Sequence, residues 1–308
     1  MTTTNIQLRY TEDEYIKPPH GFCPGCGAAL ALRYFLKVVG DKIVLIIPPG
    51  CTAPAVIRKL EHKGVPIDTI GSPFGNVAII AGGVKSALAI SGDTETQVVG
   101  WAGDGATFDI GFGAVSAAAE RNEDIIYVCY DNEGYQNTGN QRSSASPWQT
   151  INTTNPSGMP KMEFKKDIMS IMAAHAIPYA ATASVAFPDD LMRKAEKAKG
   201  MTGFRFLHII TPCTQGWGFP MNLTLELARM ALHTKIFPLF EVENGVKYTI
   251  NKKPKGTPLS EYTKLQKRFR FLSDEALMEL EKITEERWKR LQYLAGYNNE
   301  GKDNGDKE

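Results

Sequence analysis

Short, continuous apolar runs recur along the chain and alternate with stretches carrying small and charged residues at helical spacing. The runs are KIVLII before Pro48-Pro49, TQVVGWAG (96–103), DIIYVCYDN (124–132), YAATASVA (179–186) and FRFLHIITPC (204–213). Apolar residues stand at successive positions in these runs rather than at every second one, the signature of strands buried on both faces. Between them, helices are predicted over 27–38, 76–90, 112–122, 167–177 and 188–200, the last with Pro at its start and Gly at its end. Strand, loop, helix and strand in that order imply right-handed crossovers and an α/β fold, a parallel sheet with helices on both faces.

Three stretches depart from this rhythm. Residues 1–19 lack helical pattern and end in Pro18-Pro19, which reads as an extended N-terminal arm laid over a surface. Residues 136–164 are rich in Ser, Thr, Asn and Pro, and an irregular segment of that length in a compact domain is usually functional. Beyond about 222 the pattern weakens to a helix, a hairpin over 238–250, two charged amphipathic helices over 259–270 and 273–294, and a tail expected to fray. The predicted division is therefore an arm (1–19), a main α/β domain (20–245) and a C-terminal helical extension (246–308), whose amphipathic helices suggest packing on a partner or a twin copy.

With 35 basic and 34 acidic residues spread along 308 positions, the net charge of +1 gives no footprint for nucleic acid. No segment has the apolar core of a signal peptide or a membrane span, so a cytoplasmic location is expected. Five cysteines in such a chain point away from structural disulfides. Cys23, Cys26, Cys51 and Cys213 stand in loop-forming sequence (FCPGCG, PPGCT, TPCTQGW) and read as a metal-binding set, whereas Cys129 lies inside IIYVCYD and reads as a small core hydrophobe.

A second constellation is GDG at 103–105, followed by DNEGYQNTG at 131–139. Each stands at the end of a predicted buried strand. Gly103 and Gly105 would let the backbone approach a phosphate, with a helix N-terminus behind them. Asp104 offers a hard oxygen, Asn132 offers a second 28 residues on, and the Gly134 carbonyl could add a third. Two diphosphate oxygens and a water would complete an octahedral magnesium. Either motif alone is as well explained by a tight turn; the pair at neighbouring strand ends is not.

GDG followed after 25 to 30 residues by Asn resembles the thiamine diphosphate motif, and GDGATFDIG…YVCYDNEGYQNTGNQRSSASP is similar to the β subunits of 2-oxoacid:ferredoxin oxidoreductases, from about His20 to Gly245. The resemblance implies a thiamine diphosphate-binding fold with magnesium on Asp104, Asn132 and Gly134. It implies that Gly103, Gly105 and Thr138 border the cofactor, and that Asn137 faces the thiazolium and substrate.

A Cys-x-x-Cys pair with two distant cysteines suits either a structural zinc or a four-iron four-sulfur cluster, and spacing alone does not separate them. The thiamine cradle does favour the cluster, because an oxidative decarboxylase without lipoamide or flavin moves electrons singly. In the resembled family Cys23, Cys26, Cys51 and Cys213 would hold that cluster. The implied reaction is attack of the cofactor on a 2-oxoacid, loss of carbon dioxide, and stepwise electron transfer through the cluster to ferredoxin. The Glu that activates the cofactor, and much of the substrate pocket, would come from an α-type subunit, with a γ/δ-type ferredoxin-like subunit also expected, so the chain alone should be inactive. Glu120 and Glu133 read as structural. His20 could contact the cofactor or cap the cluster loop, His175 reads as a packed helix end, Asp109 as a helix cap or a cradle support, and Arg142 with the serines after it as a diphosphate clamp, a partner contact or a solvated loop.

The stretch GCTAPAVIRKLEHKGVPIDTIGSPFGN departs from pyruvate-type relatives where the family places its active-site border. Thr52, Ser72 and Asn76 there lean toward a polar substrate, which leaves pyruvate and oxalate nearly even and bulky branched oxoacids behind. Two further readings remain: a non-redox thiamine lyase with zinc on the four cysteines, and a zinc-stabilised scaffold without catalysis.

Overall fold

A computed structural model describes residues 13–56, 60–62 and 65–296. Its elements are α1 (Gly27–Val39), β1 (Ile43–Ile47), α2 (Thr52–Val56), β2 (Glu61–His62), β3 (Val65–Pro66), β4 (Asp68–Gly71), α3 (Val77–Ile90), β5 (Gln97–Gly103), α4 (Phe112–Glu120) and β6 (Ile126–Asp131). After the long irregular segment follow α5 (Ile168–Ala174), β7 (Tyr179–Ser184), α6 (Pro188–Lys199), β8 (Arg205–Ile210), α7 (Thr224–His233), β9 (Phe240–Glu243), β10 (Lys247–Ile250), α8 (Leu259–Thr263) and α9 (Asp274–Leu294).

Eight strands form one sheet in the order β10-β9-β7-β8-β6-β5-β1-β4. Every pair from β7 to β4 is parallel, and β9 and β10 close one edge antiparallel. The two faces feed two separate cores. Ile43, Leu45 and Ile47 of β1, Val99 and Trp101 of β5, and Val128 and Tyr130 of β6 pack with α1 and α6. Val44, Ile46, Val98, Tyr127 and Cys129 point the other way, into the core under α3, α4 and α5. A parallel strand buried on both faces has no solvent side, which is why these segments read as unbroken apolar runs. Cys129 is fully buried among them.

Two expectations need revision. The boundary predicted at 245/246 falls in the turn between β9 and β10, so the sheet continues into the segment expected to be helical. The C-terminal helices bury much of their apolar surface within this chain, while Phe271, Met278 and Tyr293 stay exposed. Leu259, Tyr262, Phe269 and Leu280 join a third core with Trp217 and Leu227, and Trp288 and Leu291 of α9 lie against the second core. The predicted helix over 259–270 is α8 alone, because Gln266 adopts an extended backbone and its side-chain amide donates to the Tyr262 carbonyl at 2.8 Å, closing the helix early. A short 3₁₀ turn over Lys267–Phe269 then carries Arg268 inward. Of the N-terminal arm, residues 1–12 lie outside the described part; Tyr15 and Ile16 are buried in the first core, and Ile16 bridges Leu60. The tail beyond 296, also expected to fray, lies outside it as well. Among the described residues no helix is long and apolar enough to cross a membrane.

Candidate functional site

Four neighbouring strands, β1, β5, β6 and β8, end along one edge of the sheet, and each delivers one candidate residue: Cys51 follows β1, Asp104 follows β5, Asn132 follows β6, and Cys213 follows β8. The carboxyl edge of a parallel sheet is where such folds bind ligands. The two oxygen-bearing residues therefore stand in the middle, with a cysteine on either side.

Asp104 is fully buried and accepts from Ser143 Oγ at 2.5 Å. The tip of the Asn132 amide lies 3.0 Å from Asp104 Oδ1 and 2.9 Å from the Gly134 carbonyl oxygen. Turned with its nitrogen there, the amide donates to both. With its oxygen there, three oxygens converge at about the 2.9 Å edge of an octahedron built on Mg–O distances near 2.0–2.1 Å. The donor set thus fits a magnesium ion. Burial, and then the nearby Asp131 charge, push the Asp104 carboxyl well above the usual range, against the Ser143 hydroxyl and Lys165. Asp131 goes the other way: burial opposes its ionisation, but Lys165 and His208 outweigh that and bring it to about 2. Negative charge therefore rests on Asp131, which Lys165 contacts at 2.5 Å and His208 Nε2 at 2.7 Å.

After Gly105 the chain makes a single wide π turn, Gly105–Asp109, and α4 starts at Phe112, as the helix predicted over 112–122 does, so it is the π turn that lies directly behind GDG. Side chains take over from the helical ladder in that turn. Thr107 Oγ1 donates to the Gly103 carbonyl at 2.8 Å, Tyr135 OH to that of Gly105 at 3.4 Å, and Lys166 Nζ to that of Phe108. A side chain at position 105 would meet the Tyr135 ring at 2.5 Å, so only glycine lets the turn pass under that ring. Asp109 does not cap α4. It accepts from Tyr135 OH at 2.9 Å and from the Ser144 amide, and so supports the cradle.

A cavity of about 190 Å³ opens over the cradle. Its wall includes Gly103, Gly105, Asn132, Gly134, Asn137 and Thr138, together with Cys51, Pro49, Phe74 and Tyr130. None of the wall residues is Glu; Glu120 is exposed at the end of α4, and Glu133 is buried in ion pairs with Lys165 and Arg268. Thr52, Ser72 and Asn76 are not part of the wall either. Thr52 is buried and accepts from Trp101 Nε1, Ser72 donates to the Pro73 carbonyl, and Asn76 is exposed before α3. The lean toward a polar substrate loses its support with them.

The first two cysteines reach this edge by docking. Gly27 N donates to the Pro212 carbonyl at 3.2 Å, and a side chain at 27 would meet the Pro212 nitrogen at 2.8 Å. Thr224 Oγ1 donates to the Gly25 carbonyl at 2.7 Å and fastens the same loop from α7. Burial raises the Cys26 thiol to about 11, with the Ala29 and Ala28 amides pulling against it and Cys213 and Cys23 adding to it. Burial raises Cys51 to about 12, helped by Cys213, Cys26 and Cys23. Cys213 is raised by burial too, opposed by the Gly216 amide, which donates to its sulfur at 3.3 Å. Neighbouring cysteines thus add to burial in disfavouring the thiolates of Cys26, Cys51 and Cys213. Yet among the described residues no three His, Cys, Asp or Glu side chains close on a point tightly enough for a single metal ion.

His20 is exposed and stacks edge-on with Phe22; His175 ends α5 and meets Ser116 Oγ at 3.0 Å. Arg142 pairs with Glu163 at the surface, away from Asp104, and of that segment it is Ser143 that reaches the cradle. Lys165 and Arg268 escaped sequence reasoning because each meets the site across a long stretch of chain with no motif of its own; Tyr135 and Trp217 stand inside DNEGYQNTG and TPCTQGW, but nothing in those motifs signals their contacts with Asp109 and the Asn132 carbonyl.

Residues 50–209 match the model of the thiamine pyrophosphate enzyme C-terminal TPP binding domain, so fold and cradle together define a thiamine diphosphate enzyme. Pyruvate synthase subunit PorB of Methanocaldococcus jannaschii is 41% identical over 297 residues, covering 93% of this chain and 99% of its own. Ketoisovalerate oxidoreductase subunit VorB of Pyrococcus furiosus is 41% identical over 306 residues, covering 94% and 97%. The chain belongs to the β subunits of the thiamine diphosphate-dependent 2-oxoacid:ferredoxin oxidoreductases. A solved 2-oxoglutarate:ferredoxin oxidoreductase from Magnetococcus marinus shares the fold, with a TM-score of 0.57 at 22% identity over 70% of this chain and 79% of that one.

Proposed function

We propose that this subunit holds thiamine diphosphate through magnesium on Asp104, Asn132 and the Gly134 carbonyl, and carries a four-iron four-sulfur cluster on Cys23, Cys26, Cys51 and Cys213. The observation that carries this reading is Cys51 in the wall of the same cavity as Gly105, Asn132 and Asn137, one strand from Asp104. Thiamine diphosphate supplies an electron sink for decarboxylating a 2-oxoacid. The chain's own residues position it: Gly105 and the π turn admit the diphosphate, Ser143 orients Asp104, and Asn137 and Thr138 border the substrate side. Of the four cysteines, Cys51 is the one that lines this cavity, and it would hold the cluster beside the cofactor.

A zinc ion with Zn–S distances near 2.3 Å would draw its thiolates to within about 4 Å of one another. A four-iron cluster takes four thiolates as well, and what favours it here is the thiamine cradle beside Cys51. The cavity wall of Phe74, Pro49 and Tyr130 suits a small oxoacid with an apolar side chain, so pyruvate is the first candidate and a branched oxoacid, the substrate class named for the Pyrococcus relative, the second. Pyruvate and ketoisovalerate are the substrates named for the relatives above, and oxalate is not among them. The activating Glu comes from an α-type subunit, consistent with a cavity wall without Glu. The electrons pass singly, by way of the cluster and a γ/δ-type ferredoxin-like subunit, to ferredoxin in the cytoplasm.

Anaerobic purification of the complex with its partner subunits tests the cofactor assignment. About four irons and matching acid-labile sulfide per chain are expected. One zinc per chain without labile sulfide would refute the cluster.

A further inference from the structure

One buried cation touches both cofactor loops and belongs to neither. Arg268 arrives on the turn after α8 and is 5% exposed. Its guanidinium carbon lies 3.9 Å from the centre of the Trp217 ring, and one terminal nitrogen stands 2.6 Å from Glu133 Oε2. Trp217 belongs to the turn that follows Cys213: its amide donates to the Cys213 carbonyl at 3.0 Å. Its indole nitrogen donates to the Asn132 carbonyl at 2.8 Å. Glu133 lies between Asn132 and Gly134 with φ +62, a conformation that strains a non-glycine residue and persists only where neighbours hold it.

Resting on the cluster assigned above, we propose that Arg268 is a positioning residue that fastens the Cys213 loop to the magnesium loop and, by its charge, raises the reduction potential of the cluster. The charges around it are paired: Arg268 with Glu133, and Lys165 with both Glu133 and Asp131. Removing Arg268 leaves two carboxylates facing one ammonium beside the cluster loop. A reduced cluster carries one more negative charge than the oxidised one, so loss of the cation disfavours reduction. The planar guanidinium can stack on Trp217 while forming an ion pair with Glu133 and donating from Nε to Gln266 Oε1 at 2.8 Å; an ammonium cannot do all three.

The test is a spectroscopic redox titration of the assembled complex in wild type, R268Q, R268K and R270Q, with iron, labile sulfide and bound thiamine diphosphate measured on each. Arg270 is an exposed cation on the same turn. R268Q should shift the midpoint negative by about tenfold in the ratio of oxidised to reduced cluster at fixed potential, or about 59 mV for one electron. R268K should recover more than half of that shift but retain thiamine diphosphate less tightly than wild type, and R270Q should match wild type. If R268Q does not assemble, R268K decides by its cofactor retention. Wild-type midpoint and cofactor retention in R268Q, or in R268K where it stands alone, would overturn the proposal, as would an equal shift in R270Q. Absence of iron from the wild-type complex sinks the cluster assignment itself, a distinguishable result.

Discussion

The magnesium cradle and the cysteine set share one sheet edge but are assembled in opposite ways. The cradle takes its oxygens from the ends of two adjacent strands, β5 and β6, within a pocket of buried side chains where Ser143, Tyr135 and Asp109 already orient them. The cysteines come from three separate loops; Cys23 is exposed, and the loop that carries Cys23 and Cys26 is held at the edge by Gly27 packed on Pro212 and by Thr224 on the Gly25 carbonyl. One half is preorganised by strand pairing, and the other depends on loop docking and on the metal that would draw the thiolates together. Metal binding must displace protons that burial favours on both sides, from the Asp104 carboxyl and from the Cys26 and Cys51 thiols, and only the cysteine side must also bring its loops together.

This contrast can be broken at either half. The largest effect is expected from Asp104→Ala, which should weaken magnesium–thiamine diphosphate binding by at least about 100-fold while leaving iron content near wild type; calorimetric titration of the complex checks it. Cys26→Ser should do the converse, losing most iron and labile sulfide with thiamine diphosphate retained, read by metal analysis and cofactor release. If either substitution removes both cofactors, the two halves are not independent. Gly27→Ala forces a methyl against the Pro212 backbone and should cost about 1–3 kcal/mol with partial loss of iron, seen as a lower thermal midpoint. Tyr135→Phe removes the 2.9 Å bond to Asp109 and should cost about 0.5–1.5 kcal/mol without altering iron. Arg142→Ala breaks only a surface ion pair with Glu163, and stability should change by less than about 1 kcal/mol with KM unchanged.

The same contrast governs what could be read from the sequence. The five central strands were legible because burial on both faces makes each a continuous apolar run, and the GDG and DNEG turns were legible because strand ends place them. β4 was not, since DTIG is a short, largely exposed edge strand that carries no apolar run. The π turn was hidden because the Tyr135 and Lys166 side chains that take its carbonyls lie 30 and 58 residues from them. Arg268 meets Glu133 across 135 positions, in a segment whose amphipathic pattern suggested an outward-facing role. Periodicity reports which face of an element is buried and is silent on which distant charge it will meet. The polar residues Thr52 and Ser72 show the reverse error: their composition suggested a substrate pocket, and their hydrogen bonds are spent on Trp101 and Pro73.

The central claim is that the cradle and the cysteines act as one electron path through a shared cavity. Adding pyruvate to the anaerobic complex without an external acceptor, while following the visible absorption of the cluster, tests it most directly. The account predicts prompt bleaching in wild type and none in Asp104→Ala with its iron intact; bleaching that survives in Asp104→Ala, or a wild-type complex that turns over pyruvate with its absorption unchanged, would contradict it.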